Sequence, residues 1–179
     1  MLSKRVSLTA VAIGFAVAQY VLPVRAVAGI NQGRVPQWRV EVNQIDAAGS
    51  NIAPEFKVAI YENLVTELTR AKQFSAVLRA GDSGANGVSN LLILKTTVES
   101  YTPGSETKRA VTTVTGATKL KVRSQLCTPE GQVVLERVVN GNVRFFGGNL
   151  RATHNLARNV VKAIKQGTLP EATPPDQAQ

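Results

Sequence analysis

Residues 119–139 read Lys119-Leu-Lys-Val-Arg-Ser-Gln-Leu-Cys-Thr-Pro-Glu-Gly-Gln-Val-Val-Leu-Glu-Arg-Val-Val139, and this stretch decides the fold. Leu120 and Val122 alternate with Lys119, Lys121 and Arg123, the period of two that belongs to a half-buried strand. A second run, Gln132–Val139, is rich in valine. Between them Thr128-Pro129-Glu130-Gly131 carries Pro second and Gly fourth, as a type I turn prefers. The pattern predicts a β-hairpin of Lys119–Leu126 and Gln132–Val139. With Pro129 and Glu130 as the loop, Arg123 faces Glu136, and Leu120, Val122 and Leu126 share a face with Val133, Leu135 and Val139. A three-residue loop with a bulge at Gly131 moves that register by one residue.

Upstream of the hairpin, Leu91–Tyr101 begins as a continuous apolar run and ends alternating, which suits a central strand emerging at one end of a sheet. Thr102-Pro103-Gly104-Ser105 turns the chain, and Glu106–Thr118 fits either a ragged strand start or a mobile loop. Trp38–Ile45 alternates as a half-buried first strand. Asp46–Ala53 is a loop, and Pro54 opens a helix where its missing N–H has no helical partner to lose. Phe56, Ile60, Leu64 and Leu68 recur at spacing four and give Pro54–Lys72 one apolar face. Phe74–Leu78 reads as a short second strand. Gly81–Gly87 lacks both the Lys-Ser/Thr pair of a P-loop and the G-x-G-x-x-G spacing, so it reads as a flexible connector.

Downstream, Asn140-Gly141-Asn142 and Gly147-Gly148-Asn149 break the chain around Val143–Phe146. Asn149 is placed to cap a helix from Leu150 to Gln166 that buries Thr153, Leu156, Ala157, Val160, Ala163 and Ile164 and stops at Gly167. Residues 168–179 hold three prolines and no hydrophobic pattern, and read as a disordered tail. The fold class expected is α+β: a mostly antiparallel four- to five-stranded sheet with two helices packed on one face, in a single domain over residues 38–167, preceded by a linker at 29–37 and a signal-peptide helix.

That leader is read from residues 1–28. Lys4 and Arg5 form a positive start, Val6–Leu22 is largely apolar, and Ala26 and Ala28 give the small-x-small pattern that signal peptidase accepts, leaving Gly29 first. Gln19 and Tyr20 interrupt the run, which is short for a membrane-spanning helix. No cysteine stands at the cleavage point to be lipidated, so the protein is expected free in the periplasm or secreted, without a stable membrane anchor after cleavage. Removing Lys4, Arg5 and Arg25 takes the net charge from +9 to +6. That balance attracts anionic envelope polymer or an acidic protein face.

The chemistry-bearing residues are few. The 179 residues include one histidine and one cysteine, which excludes disulfide scaffolds and Cys-rich zinc sites. His154 has no second imidazole to complete a metal set and reads as a helix-surface residue; Cys127 has a packing role. Asp46, Asp82, Glu99, Glu106, Glu130 and Glu136 sit in turn or exposed strand contexts with no motif joining two of them. No catalytic, cofactor-binding or metal-binding residue is expected. Lys119, Lys121 and Arg123 project from one strand face as a basic row and are the candidate partner-binding residues. The absence of interleaved aromatics on that strand argues against nucleic acid.

The order strand, helix, short strand, long strand, hairpin, helix resembles small exported bacterial α/β domains of unknown function, often lipoproteins. It is similar also to the amino-terminal module of TolB and to the periplasmic domain of the curli secretion channel. The residues that carry the resemblance are Leu64 and Leu68 with Phe74 and Val77, Leu91, Ile93 and Val98 with Pro103-Gly104, Leu120 and Val122 with Thr128–Val134, and the Ala157–Ile164 helix. It implies a non-enzymatic envelope accessory or assembly role, binding a protein or an anionic envelope polymer. Two other functions are weighed against it: a cell-wall glycan hydrolase with an unrecognised carboxylate pair, and a structural subunit that self-associates through strand edges.

Overall fold

A computed structural model describes residues 38–105, 107–108, 116–143 and 148–172. The expected signal peptide with Ala26, Ala28 and Gly29, the linker at 29–37 and most of Glu106–Thr118 lie outside these. The elements run β1 (Arg39–Asp46), α1 (Pro54–Ala71), β2 (Ala76–Arg79), β3 (Leu91–Thr102), β4 (Lys119–Cys127), β5 (Val133–Asn140) and α2 (Arg151–Gln166). The five strands form one sheet in the order β2-β1-β3-β4-β5. The fold is α+β, as expected. The long β3–β4 and β4–β5 ladders are antiparallel, and β1 is parallel to both of its neighbours.

Side-chain alternation sorts the sheet into two faces. Val40, Val42, Leu92, Leu94, Val98, Leu120, Val122 and Leu126 point to the helix side and are buried. There they meet Phe56, Ile60, Leu64 and Leu68 of α1 and Leu156, Val160 and Ile164 of α2. The spacing-four stripe read from the sequence is therefore the contact face of α1. The two helices also touch each other, and Asn63 Nδ2 donates to Thr153 Oγ1 at 2.8 Å across that seam. Thr153 Oγ1 in turn donates to the Leu150 carbonyl at 2.7 Å, so a polar residue is buried with its hydrogen bonds made.

Four local expectations are corrected. The second strand starts at Ala76 rather than Phe74, because Phe74 is pulled into the core ahead of the pairing. Asn149 does not cap α2. Its side chain accepts from Thr118 Oγ1 at 2.6 Å and donates to the Gly104 carbonyl at 3.2 Å, so it ties three loops together, and Leu150 is the residue at the cap position. The start of the expected tail is held: Leu169 packs on the core, Ala172 is buried, and the Pro170 carbonyl accepts from Trp38 Nε1 at 3.0 Å.

The fourth is the hairpin register, where the three-residue-loop alternative holds at the turn and the two-residue pairing does not. Thr128 N–H bonds the Gln132 carbonyl and Gly131 adopts a φ of 91°, the left-handed residue of a three-residue loop. A second irregularity follows at once, since Leu126 pairs Leu135 while Cys127 pairs Val133, leaving Val134 as an extra residue. Together the two shifts put Arg123 opposite Val138 and Gln125 opposite Glu136. Val133 consequently leaves the apolar face on which it was expected and is 47% exposed.

Candidate functional site

The sheet face away from the helices is uncovered along most of β3, β4 and β5, and it carries the predicted row. Lys119, Lys121 and Arg123 stand opposite Thr102, Ser100 and Thr97 and are all exposed. A bulge in β3 between Val98 and Ser100 leaves Glu99 as the unpaired residue. Bulges re-aim a side chain, and this one aims a carboxylate between two of the cations. Lys121 Nζ lies 2.9 Å from Glu99 Oε2, and Arg123 Nη2 lies 2.9 Å from Glu99 Oε1. Arg123 also reaches Glu136 Oε1 at 3.5 Å, and Gln125 Nε2 donates to the other oxygen of Glu136 at 2.5 Å.

The row is thus a ladder of alternating charge. Hydrogen bonds from Lys121 and Arg123 hold the Glu99 carboxyl below its usual range. Glu99 raises the Arg123 guanidinium in return, with Glu136 adding to the effect. A general acid at a glycosidic bond needs its carboxyl shifted the other way. Lys119, at the end of the row, makes no ion pair among the described residues.

Among the described residues, grooves open beside the core. One, of about 400 Å³, lies between the end of β1 and α1 and is lined by Gln44, Lys57, Val58, Tyr61 and Glu62 among others. Its wall is fixed by Arg79, which reaches both oxygens of Glu62 at 2.6 and 2.8 Å and lies 5.6 Å from the centre of the Tyr61 ring. The Tyr61 hydroxyl accepts from the Ala80 N–H at 3.0 Å. The other groove, of about 540 Å³, lies between the end of β5 and α2 and is lined by Asn140, Asn142, Asn155, Arg158, Asn159 and Lys162. The sequence reading missed it. Its signal is Asn155-x-x-Arg158-Asn159-x-x-Lys162, spaced to fall on one helix face, which is also what any solvated helix face offers.

His154 lies 3.9 Å from Glu67 Oε1, with 42% of its side chain exposed. Among the described residues no group of three or more His, Cys, Asp or Glu is placed to hold a metal ion. Cys127 is buried and unpaired. Within the Gly81–Gly87 connector, Ser83–Ala85 forms a single tight turn, and Asp82 Oδ1 accepts from the Gly84 N–H at 2.9 Å. Among the described residues, no helix is long and apolar enough to cross a membrane.

The chain matches no protein-family model and no curated protein. Its fold is that of solved structures with little sequence in common. The PelC dodecamer from Paraburkholderia phytofirmans superposes with a TM-score of 0.56 at 14% identity, covering 72% of this chain and 90% of that one. A second crystal form of PelC gives 0.54 at 15%, covering 70% and 86%. A minor lipoprotein from Acinetobacter baumannii gives 0.46 at 15%, covering 77% and 98%. The likeness to PelC bears out the coarser resemblance as far as the fold goes, a small α/β domain, and shows no link to TolB or the curli channel.

Proposed function

We propose that the chain is a non-enzymatic accessory or assembly domain of the cell envelope, exported by its leader, which acts by associating with copies of itself along the β5 edge of the sheet. The observation that carries this reading is the edge itself. β5 is eight residues long and, among the described residues, pairs only with β4, and its Val133 and Val138 are each 47% exposed. A long edge with unpaired backbone groups and exposed valines is a template for another strand. The other edge, β2, has four residues and is flanked by the Arg79–Glu62 pair. The fold shared with PelC, which crystallised as a dodecamer, supports assembly through a repeated contact.

The open face supports a protein partner over an anionic polymer. Two of the three cations of the Lys119, Lys121 and Arg123 row already hold a carboxylate, so the face offers alternating signs, which set register between protein surfaces. The test is sedimentation velocity of the purified protein beside a Val133→Lys/Val138→Lys variant. The parent sediments as a closed oligomer and the variant as a monomer with unchanged circular dichroism. A parent that stays monomeric at every concentration would refute the reading.

A further inference from the structure

We infer that the groove between β5 and α2 is a binding site for an anionic, hydroxyl-bearing ligand of the acidic-sugar class. The argument begins with its amides. Asn159 Nδ2 donates to the Asn140 carbonyl at 2.8 Å, and Asn155 Nδ2 donates to the Asn142 carbonyl at 3.0 Å. These bonds lock two side chains of α2 onto the chain leaving β5 and fix which way each amide faces. Asn142 Oδ1 accepts from the Leu120 N–H at 3.4 Å, which turns the Asn142 NH2 to donor duty. The Asn140 amide makes no hydrogen bond among the described residues. The groove therefore presents a preset arrangement of amide donors and acceptors, the pairing that sugar hydroxyls require.

The second half of the argument is charge. Arg158 and Lys162 stand four residues apart on α2, line the same groove, and make no ion pair or hydrogen bond among the described residues. No carboxylate lines it. The contrast with the other groove is direct, since that one contains Glu62 beside Lys57, and Glu62 is already paired to Arg79. Two uncompensated cations with eight N–H donors between them suit a carboxylate or phosphate group. A volume of about 540 Å³ lies within the range of small-molecule sites and holds one or two sugar units. Amides for hydroxyls beside cations for an acid group define an acidic sugar, either free or as a unit of a polymer.

The test is an NMR titration of the purified protein, following the Asn side-chain amide resonances, with glucuronate, glucose, inorganic phosphate and a short oligogalacturonate as probes. Glucuronate moves the Asn140 and Asn142 amides saturably, while glucose at the same concentration does not. Arg158→Gln/Lys162→Gln keeps the folded spectrum and weakens glucuronate by at least about tenfold. Oligogalacturonate binding more tightly than glucuronate assigns the polymer as the source, and equal affinity assigns the free acid. The inference is overturned if the double variant binds as the parent does, or if phosphate alone moves the same amides as strongly as glucuronate. The groove residues and their hydrogen bonds are observations separate from the exposed β5 valines, so failure of the assembly reading leaves the inference intact.

Discussion

A Cβ placed on Gly141 would lie 2.3 Å from the Ala152 carbonyl oxygen and 2.5 Å from Leu156 Cβ, so α2 rests directly on the backbone that leaves β5. The glycine is required for space and not for its dihedral freedom, and the atom it would strike is backbone, which cannot rotate away. Its N–H is also bound to the Leu120 carbonyl at 2.8 Å, which fixes the segment from the sheet side. Gly141→Ala is expected to destabilise by about 1–3 kcal/mol through overpacking, against a gain of under ~1 kcal/mol from the stiffer unfolded chain. A lower urea midpoint with an unchanged slope is the expected result. An unchanged or higher midpoint would show that α2 does not sit this close.

Acid is expected to weaken the open face through Glu99. Its folded pKa is depressed by hydrogen bonds from Lys121 and Arg123, so its contribution is fully present above the ordinary carboxylate value and is lost as pH falls through the depressed one. Glu62, lowered by its hydrogen bond to Arg79, adds in the same direction on the far side of the molecule. Both pairs are exposed, so each effect is small and is screened by salt. Denaturation midpoints of the parent and Glu99→Gln should differ near neutral pH and converge near pH ~3. A difference that grows on acidification would contradict the pairing.

Thr96 is a core position with the wrong atom in it. It is 1% exposed on the helix side of β3, and its Oγ1 has no hydrogen-bonding partner among the described residues. An unpaired buried hydroxyl costs about 1–3 kcal/mol of desolvation. Thr96→Val keeps the branched shape that a strand favours and removes that penalty. A gain of about 1 kcal/mol, seen as a melting temperature higher by about 2–5 °C, is expected from calorimetry. A loss of stability would mean that the hydroxyl is satisfied in solution.

What was legible in the sequence is what periodicity encodes. The spacing of Phe56, Ile60, Leu64 and Leu68 gave α1 its buried face, and the alternation around Leu120 and Val122 gave β4 its own. Pairing between elements left no such mark. The hairpin register depends on two extra residues, Gly131 and Val134, and neither disturbs the valine-rich pattern in which Val134 sits. Asn149 has the side chain of a helix cap and stands where one is wanted, yet Thr118 and Gly104 claim it from distant loops. The row Lys119, Lys121, Arg123 was visible, but not the bulge that sets Glu99 between two of its members. The Asn155–Lys162 stripe was overlooked because the groove it lines is completed by the β5 exit that faces it.

Trp38, the single tryptophan of the chain, reports on the segment after α2. Its Nε1 donates to the Pro170 carbonyl at 3.0 Å, its ring packs against the core, Leu169 packs on the same core, and Ala172 is buried. Tryptophan emission shifts to the red when water replaces such contacts, so truncation after Gly167 should red-shift the spectrum of the folded protein and lower its melting temperature. The destabilisation is that of exposing Leu169's contact surface and one hydrogen bond, about 1–3 kcal/mol. Truncation after Ala172 keeps the Trp38–Pro170 hydrogen bond and is the control chain. Identical emission from the two truncated chains would show that residues 168–172 do not dock.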